Sequence, residues 1–452
     1  MHIDTEMMPI SNVRPAVRDA SAVDMAQMQH TKDCRQRLRS KVQAHPVQPV
    51  KASADHKLLQ KRVLILISDT GGGHRASAQA LEAAFEEVRP GEMDVRIVDI
   101  WTDYGKWPYN KFVPGYQFVA KNPILWRTMY FSSAMPVVKP FLQLQTRIAC
   151  YRSFKGCIEQ HDPHLIVSMH PLCQEVPLSI VKKQQKQRDG RHIPFATVIT
   201  DLGSAHPTWF HKGVDMCFVP SDAVRSLARR RGVAESQLRQ LGLPVRPAFW
   251  KEAEPRAKLE QELGLTEGRK TVLVVGGGDG VGSLDKIVDA TATQISRACP
   301  DEAQLVVVCG KNAKMQQRIM SQTWDHVDVQ VRGFIKRMSD YMAVSDCIVT
   351  KAGPGTIAEA AIRGLPTMLS SFLPGQEAGN VPFVTRNGFG DYSKKPKVIA
   401  RTVCDWLQDP KMLSRMSTNA RAVSMPQAST AIAQELCMMI DSSEVNVAAQ
   451  HF

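Results

Sequence analysis

The chain has 452 residues and a formal net charge of +13, more length than one hydrophobic core supports, so two or three domains are expected. Ten cysteines are scattered without a C-x-x-C pair, which argues against a zinc module or disulfide scaffold and fits a reducing compartment. No apolar run reaches the roughly 18 residues that cross a bilayer, so membrane contact would be peripheral. The basic balance suits an anionic partner: nucleic acid, a nucleotide-bearing substrate or an anionic membrane surface.

Residues 1–57 hold few large apolar side chains and a basic run from Arg35 to Lys41. They read as a disordered leader, either a transit peptide or a plain tail; the acids Asp4, Glu6, Asp19, Asp24 and Asp33 argue against a transit peptide. From Arg62 short β-branched runs alternate with helical periods. "RVLILIS" (62–68), "DVRIVDI" (94–100), "HLIVSMH" (164–170), "FATVIT" (195–200) and "DMCFVP" (215–220) are expected strands of a parallel sheet. "GLPVRPAFW" (242–250) breaks the rhythm and marks a hinge. A second alternation follows in "TVLVVGGGDGVGSL" (271–284), "QLVVVCGKN" (304–312), "VQVRGF" (329–334), "DCIVTKAGPGT" (346–356) and "LPTMLSS" (365–371). The expected architecture is α/β: two doubly wound, Rossmann-like domains facing a cleft, with chemistry at the carboxyl ends of the strands.

Four loops of the second half end on small residues. In "KAGPGTIAEA" (351–360), Gly353 and Gly355 allow close backbone approach, Pro354 stiffens the turn, and the helix starting near Thr356 presents unpaired N–H groups to an anion. Glu359, one turn on, is placed to accept from a ribose diol. "GGGDGVGS" (276–283), with Gly277, Gly278 and Asp279, fits no phosphate-loop pattern yet permits close approach. "CGKN" carries Gly310 and Lys311, and "RGF" carries Gly333 and Phe334. Together the four loops suffice for base, ribose and diphosphate.

"SDTGGGHRASAQALEAAF" (68–85) is ambiguous. Gly71, Gly73 and Ala76 satisfy G-x-G-x-x-A after a strand, with Asp99 ending the next strand as a ribose-binding acid would, so a dehydrogenase is one reading. The other places His74 on a cleft wall, kept neutral by the helix N-terminus and able to take a proton; a histidine that only starts the helix or meets phosphate is the blander option. In "TDLGSAHPTWFHKGVD" (200–215), His206 could orient an acceptor and Trp209 line it, or both could be packed loop residues. Residues 101–131 hold three of seven Trp and four of seven Tyr, interleaved with Lys106, Lys111, Lys121 and Arg127. That composition suits an interfacial element at headgroup depth, or a packed helical lid; no nucleic-acid module accompanies it.

Taken together, "GGGHRASAQAL", "SMHPLCQEVPL", "TDLGSAHPTWFHKGVD", "GLPVRPAF", "KAGPGTIAEA" and "GQEAGNVPFV" resemble monogalactosyldiacylglycerol synthases, from about residue 62 to 440. The resemblance implies an inverting GT-B glycosyltransferase, related to the peptidoglycan N-acetylglucosaminyltransferase, that moves galactose from UDP-galactose to diacylglycerol without a cofactor or metal. It implies an acceptor and membrane-binding domain over 58–245, a nucleotide-sugar domain over 246–426, and last helices crossing back within 427–452. It also implies His74 as base, Arg246 near the diphosphate and Gly353 to Thr356 stabilising departing UDP. Glu359 would hold ribose, the "RGFI" stretch with Ile335 uracil, and Gln376, Glu377 and Asn380 the sugar. Pro108, His206 and Trp209 would face acceptor and anionic lipid. A plastid envelope surface is the implied location, a bacterial inner membrane surface the alternative. Two departures, Asp279 in place of Glu and small residues in "DLGSAH", leave a UDP-glucose donor open, and a non-catalytic nucleotide-regulated lipid binder is the alternative of another class.

Overall fold

The computed structural model describes residues 60–120, 122–187, 192–276 and 284–450. Two all-parallel sheets form there. The first has the order β2-β1-β3-β4-β5-β6, from β1 (Lys61–Ile67), β2 (Met93–Asp99), β3 (Leu165–Ser168), β4 (Phe195–Val198), β5 (Met216–Val219) and β6 (Leu238–Gln240). The second has the order β12-β11-β10-β7-β8-β9, from β7 (Lys270–Val275), β8 (Ala303–Val308), β9 (Asp328–Arg332), β10 (Cys347–Lys351), β11 (Thr367–Ser371) and β12 (Gly390–Tyr392). Strand order therefore reverses between β1 and β3 in one sheet and between β7 and β10 in the other, and such switch points open crevices at the strands' carboxyl ends.

The continuous apolar runs follow from burial on both faces. Val63, Ile65 and Ile67 of β1 enter one core cluster while Leu64 and Leu66 enter the cluster on the opposite face. In β7, Val272 and Val274 separate from Leu273 and Val275 in the same way. Each fully buried aliphatic side chain contributes about 1.5–3 kcal/mol, so a one-residue slip would expose a whole face of apolar groups. Helix α1 (Gly73–Val88) begins at Gly72, whose φ of 52° is left-handed, and buries Ala78, Ala80, Leu81, Ala84 and Phe85 against the first sheet.

Between β2 and β3 lie a short helix (Ile100–Tyr104) and then α2 (Phe112–Ala120), α3 (Pro123–Ser133) and α4 (Val138–His161). After β3 comes α5 (Glu175–Gln187). In the second half α6 (Pro354–Arg363) follows β10 and α7 (Asn380–Arg386) follows β11. The last helix, α8 (Ala428–Gln450), places Ile432, Ala433, Leu436, Cys437 and Ile440 in the first sheet's core. It is anchored where the Val245 N–H donates to Ser429 Oγ at 3.0 Å and by an Arg89–Asp441 ion pair. Leu202 and Leu243 join Ile357, Leu369 and Phe389 in a further cluster that bridges the two sheets' surroundings.

Candidate active site

His74 stands in the first turn of α1, at the switch point of the first sheet. Its Nδ1 lies 2.8 Å from Thr200 Oγ1, at the end of the β4 run, and its ring meets His170, beyond β3, edge to face at 4.7 Å. Trp209 closes the other side at 6.1 Å. Burial lowers the His74 pKa to about 4, against smaller upward effects of the Met169 carbonyl and Asp69. The imidazole is thus neutral near pH 7, and burial supplies the largest cause, where the sequence had pointed to the helix terminus. His170 is buried and also held well below the usual range, first by burial and then by His74. Its Nδ1 accepts from the Leu172 N–H at 3.3 Å, which leaves the proton on Nε2, 3.5 Å from Thr70 Oγ1.

The dinucleotide reading fails on Asp99. Its carboxylate accepts from the backbone N–H groups of Asp69, Trp101 and Thr102 and from the Thr102 hydroxyl, so the acid that would bind ribose caps the helix at 100–104 instead. Asp69 is meanwhile held by Arg75 at 2.6 Å. The glycines of this loop are explained by neither strain nor packing, except for Gly72: a Cβ at Gly71, Gly73 or Gly355 would meet nothing within 4 Å. Both loops border open space.

Asp201 lies beneath the site, where burial pushes its carboxyl up to about 7 and hydrogen bonds from Trp209 and Gln376 oppose the shift. Trp209 is wholly buried and donates Nε1–H to Asp201 Oδ2 at 2.7 Å, which makes it a wall beneath the cleft rather than an exposed lipid contact. His206 is buried, with Ser133 Oγ 3.2 Å from Nε2, Thr208 Oγ1 2.7 Å from Nδ1 and the Tyr130 ring at 4.9 Å. Burial lowers its pKa to about 4. Pro108 is exposed next to Trp107, which is 80% exposed.

On the other side, Gly353 caps α6 and Pro354 occupies its first turn, followed by Gly355 and Thr356. Glu359 is half-buried, its carboxyl raised to about 7 by desolvation, and it pairs with Arg246 at 3.5 Å. Glu377 is buried, pairs with Lys351 and accepts the Leu373 N–H at 2.8 Å. Gln376 Oε1 accepts from the Tyr116 hydroxyl at 3.1 Å. Gly310 has a φ of 59°, Lys311 is exposed, Gly333 lies beside Gln316, Phe334 projects with 66% exposure, and Ile335 packs on the core. Gly277, Gly278 and Asp279 lie outside the described residues.

Asn380 is buried between the halves: its Oδ1 accepts the Gly203 N–H at 2.7 Å and its Nδ2 donates to the Ala352 carbonyl at 2.8 Å. Both ends of the amide are engaged, so it clamps the cleft. Beside it Gly203 and Gly379 meet backbone to backbone, and a Cβ on Gly203 would fall 2.1 Å from the Gly379 oxygen. Ser204 Oγ donates to the Gln376 carbonyl at 2.8 Å. The small residues of "DLGSAH" are those that permit this approach. A cavity of about 510 Å³ lies at the seam between Leu202, Gly203, Gly379 and Met425, but neither His74 nor Gly353 lines it. We place the chemistry in the open cleft, where the polar groups converge.

Sequence reasoning missed the part played by Thr200, His170, Tyr116 and Trp126 around the cleft. His170 sits just beyond β3, a strand at the switch point, and was accessible by that rule; Thr200, beyond β4, and the aromatics are brought in only by tertiary packing.

Comparison with known proteins gives the family and the fold. Residues 74–245 match the monogalactosyldiacylglycerol (MGDG) synthase family model, and residues 271–429 match the glycosyltransferase family 28 C-terminal domain. Monogalactosyldiacylglycerol synthase 1, chloroplastic, of Arabidopsis thaliana is 44% identical over 371 residues, covering 81% of this chain and 69% of the relative. The spinach (Spinacia oleracea) enzyme named monogalactosyldiacylglycerol synthase, chloroplastic, is 43% identical over 384 residues, covering 83% and 72%. The crystal structure of Acinetobacter baumannii MurG overlays with a TM-score of 0.53 at 15% identity, covering 84% of this chain and 99% of that one, which shows a shared fold. With two parallel-sheet domains about a cleft that opens at both switch points, and relatives of this identity over most of its length, the chain belongs to the monogalactosyldiacylglycerol synthase family.

Proposed function

We propose that the protein is a galactosyltransferase that moves galactose from UDP-galactose to the free hydroxyl of 1,2-diacylglycerol, with inversion, making monogalactosyldiacylglycerol. The observation that carries the chemistry is His74: a half-buried imidazole, kept neutral by desolvation, beside a glycine loop that leaves open space. A base of this kind takes the acceptor proton as the oxygen attacks the anomeric carbon. The C–O bond to the sugar forms as the bond to UDP breaks, and one displacement inverts the centre. The proton passes to His74, where the Met169 carbonyl and the nearby Asp69 charge favour the imidazolium and Thr200 Oγ1, 2.8 Å from Nδ1, holds the ring.

The leaving diphosphate gains negative charge, and the N-terminus of α6, entered through Gly353 and Pro354, offers the backbone N–H groups of Gly355 and Thr356 and the positive helix end. Arg246 adds a positive charge near the phosphates and Glu359, its ion-pair partner, meets the ribose. Gly310, Lys311, Gly333, Phe334 and Ile335 surround the uracil, with the exposed Phe334 ring available to the base. Gln376 and Glu377 contact the sugar and Asn380 fixes the loop that carries them. His206 and Trp209 shape the acceptor side from below and Pro108 from its exposed rim.

The acceptor dissolves in a bilayer, so the enzyme must dock on one. Eleven of the seventeen exposed large apolar side chains among the described residues lie between Trp107 and Ile148. No helix of the described residues is long and apolar enough to cross a membrane, and a patch of this kind beside basic side chains suits peripheral binding to an anionic surface. The relatives' names place them in the chloroplast, and the plastid envelope is the location we propose for this chain.

The test supplies UDP-galactose and UDP-glucose in parallel to purified protein with diacylglycerol vesicles. The expected outcome is a β-galactolipid with galactose strongly preferred. Glucolipid as the main product would reassign the donor, and UDP release independent of acceptor would remove the transferase reading.

A further inference from the structure

Helix α3 sorts its side chains by helical period. Trp126, Tyr130 and Ser133, at i, i+4 and i+7, turn inward, while Ile124 and Phe131 turn out, 81% and 48% exposed. In α2, Tyr116 turns in and Phe118 turns out, 73% exposed.

The inward groups meet three consecutive residues of the second domain. Trp126 Nε1 donates to the Pro374 carbonyl at 2.9 Å, the Tyr130 ring lies over Gly375, and the Tyr116 hydroxyl donates to Gln376 Oε1 at 3.1 Å. Gly375 has a φ of 85°, and a Cβ there would lie 2.4 Å from the Tyr130 ring, so the loop is shaped to receive that aromatic face. Tyr116 and Trp126 also stack edge to face at 5.0 Å, so the two helices hold the loop as one unit. The next residue, Glu377, pairs with Lys351, whose ammonium lies 3.4 Å from where a Cβ on Gly353 would stand.

We propose that Tyr116, Trp126 and Tyr130 are positioning residues that couple the lipid-facing surface of α2 and α3 to the sugar half-site, so that membrane docking and UDP-galactose binding reinforce each other. The proposal rests on the assignment of Gln376 and Glu377 to the sugar. A bilayer that orders the outer faces of these helices also orders the loop on their inner faces, and the uridine and phosphate positions lie on other elements. Thermodynamic linkage then requires that each ligand tighten the other by the same factor.

The experiment titrates the full chain with acceptor-free anionic phospholipid vesicles in the presence of UDP-galactose, UDP or neither, and titrates UDP-galactose with and without vesicles. Wild type is expected to bind each ligand several-fold more tightly when the other is present, with UDP alone having no such effect. Trp126→Phe and Tyr116→Phe, which keep a ring and remove one donor each, are expected to lose most of that factor while binding UDP normally. UDP-galactose binding without linkage in wild type, or linkage retained in both variants, overturns the coupling. No binding of UDP-galactose while UDP binds would overturn the sugar assignment on which the coupling stands.

Discussion

A histidine acts as a base near neutral pH when its imidazole is unprotonated and aimed at a proton, and His74 meets the first condition through burial. Its titration is therefore expected near pH 4, and an NMR midpoint near 6.5 for its ring protons would contradict the burial. The sign for stability follows from linkage. A lowered folded pKa means that the unfolded chain binds the extra proton between about 4 and 6.5. The stability His74 confers is complete above 6.5 and is lost as pH falls. His74→Gln should thus gain on wild type by about 1–2 kcal/mol between pH 7.5 and 5, read as a shrinking difference in Tm. Thr200→Val should lower kcat while leaving the KM for UDP-galactose unchanged, because it removes the hydroxyl 2.8 Å from Nδ1 and nothing on the donor side. At this scale the place of His74, in the first turn of a helix after a strand, was legible from the three glycines that precede it. Thr200 and Asp201 were not assigned to the site, because nothing local marks a strand-end threonine as the neighbour of a residue 126 positions away.

The secondary-structure elements were legible wherever burial on both faces wrote a continuous apolar run. All ten strands expected from the sequence form: those of the first half shift at their ends by no more than two residues, and those of the second half occupy the apolar part of each quoted stretch, starting within two residues of it. β6 and β12 escaped notice because each has three residues at a sheet edge and no apolar run. The loops after the strands proved more informative than the strands themselves. Gly355 faces open space and heads α6, so Gly355→Val should leave folding intact while raising the KM for UDP-galactose by about tenfold or more, the loss of roughly one good interaction. Gly203 is the contrasting case. Its absent Cβ would strike the Gly379 carbonyl, so Gly203→Ala should cost about 1–3 kcal/mol and separate the cleft walls, lowering both Tm and kcat. Equal Tm values would show that the seam is not closed in solution.

For the whole molecule, two doubly wound halves were legible from the double alternation and the proline-rich break at 242–250. How the halves touch was not, because the seam pairs the backbone of Gly203 and Gly379 and the side-chain amide of Asn380, none of which leaves an apolar pattern in the sequence. The same limit held for the aromatic segment, whose composition suggested either a membrane face or a packed lid. The structure shows one set of helices that packs inward through Tyr116, Trp126 and Tyr130 and leaves Phe118, Ile124 and Phe131 exposed outward. Replacing Ile124 and Phe118 together by Ser should weaken vesicle binding and raise the apparent KM for diacylglycerol with little change in Tm, since neither side chain is packed. The net charge of +13 adds a long-range attraction to anionic vesicles that salt should weaken.

The most direct measurement assays wild type and His74→Ala side by side with UDP-galactose and diacylglycerol vesicles, identifies the lipid product by its anomeric NMR signal, and measures UDP affinity in both. Wild type should give β-galactosyl diacylglycerol, and the variant should bind UDP equally while losing about 100-fold or more in turnover. A variant that turns over within tenfold of wild type, or a wild type that forms no galactolipid, would contradict the assignment.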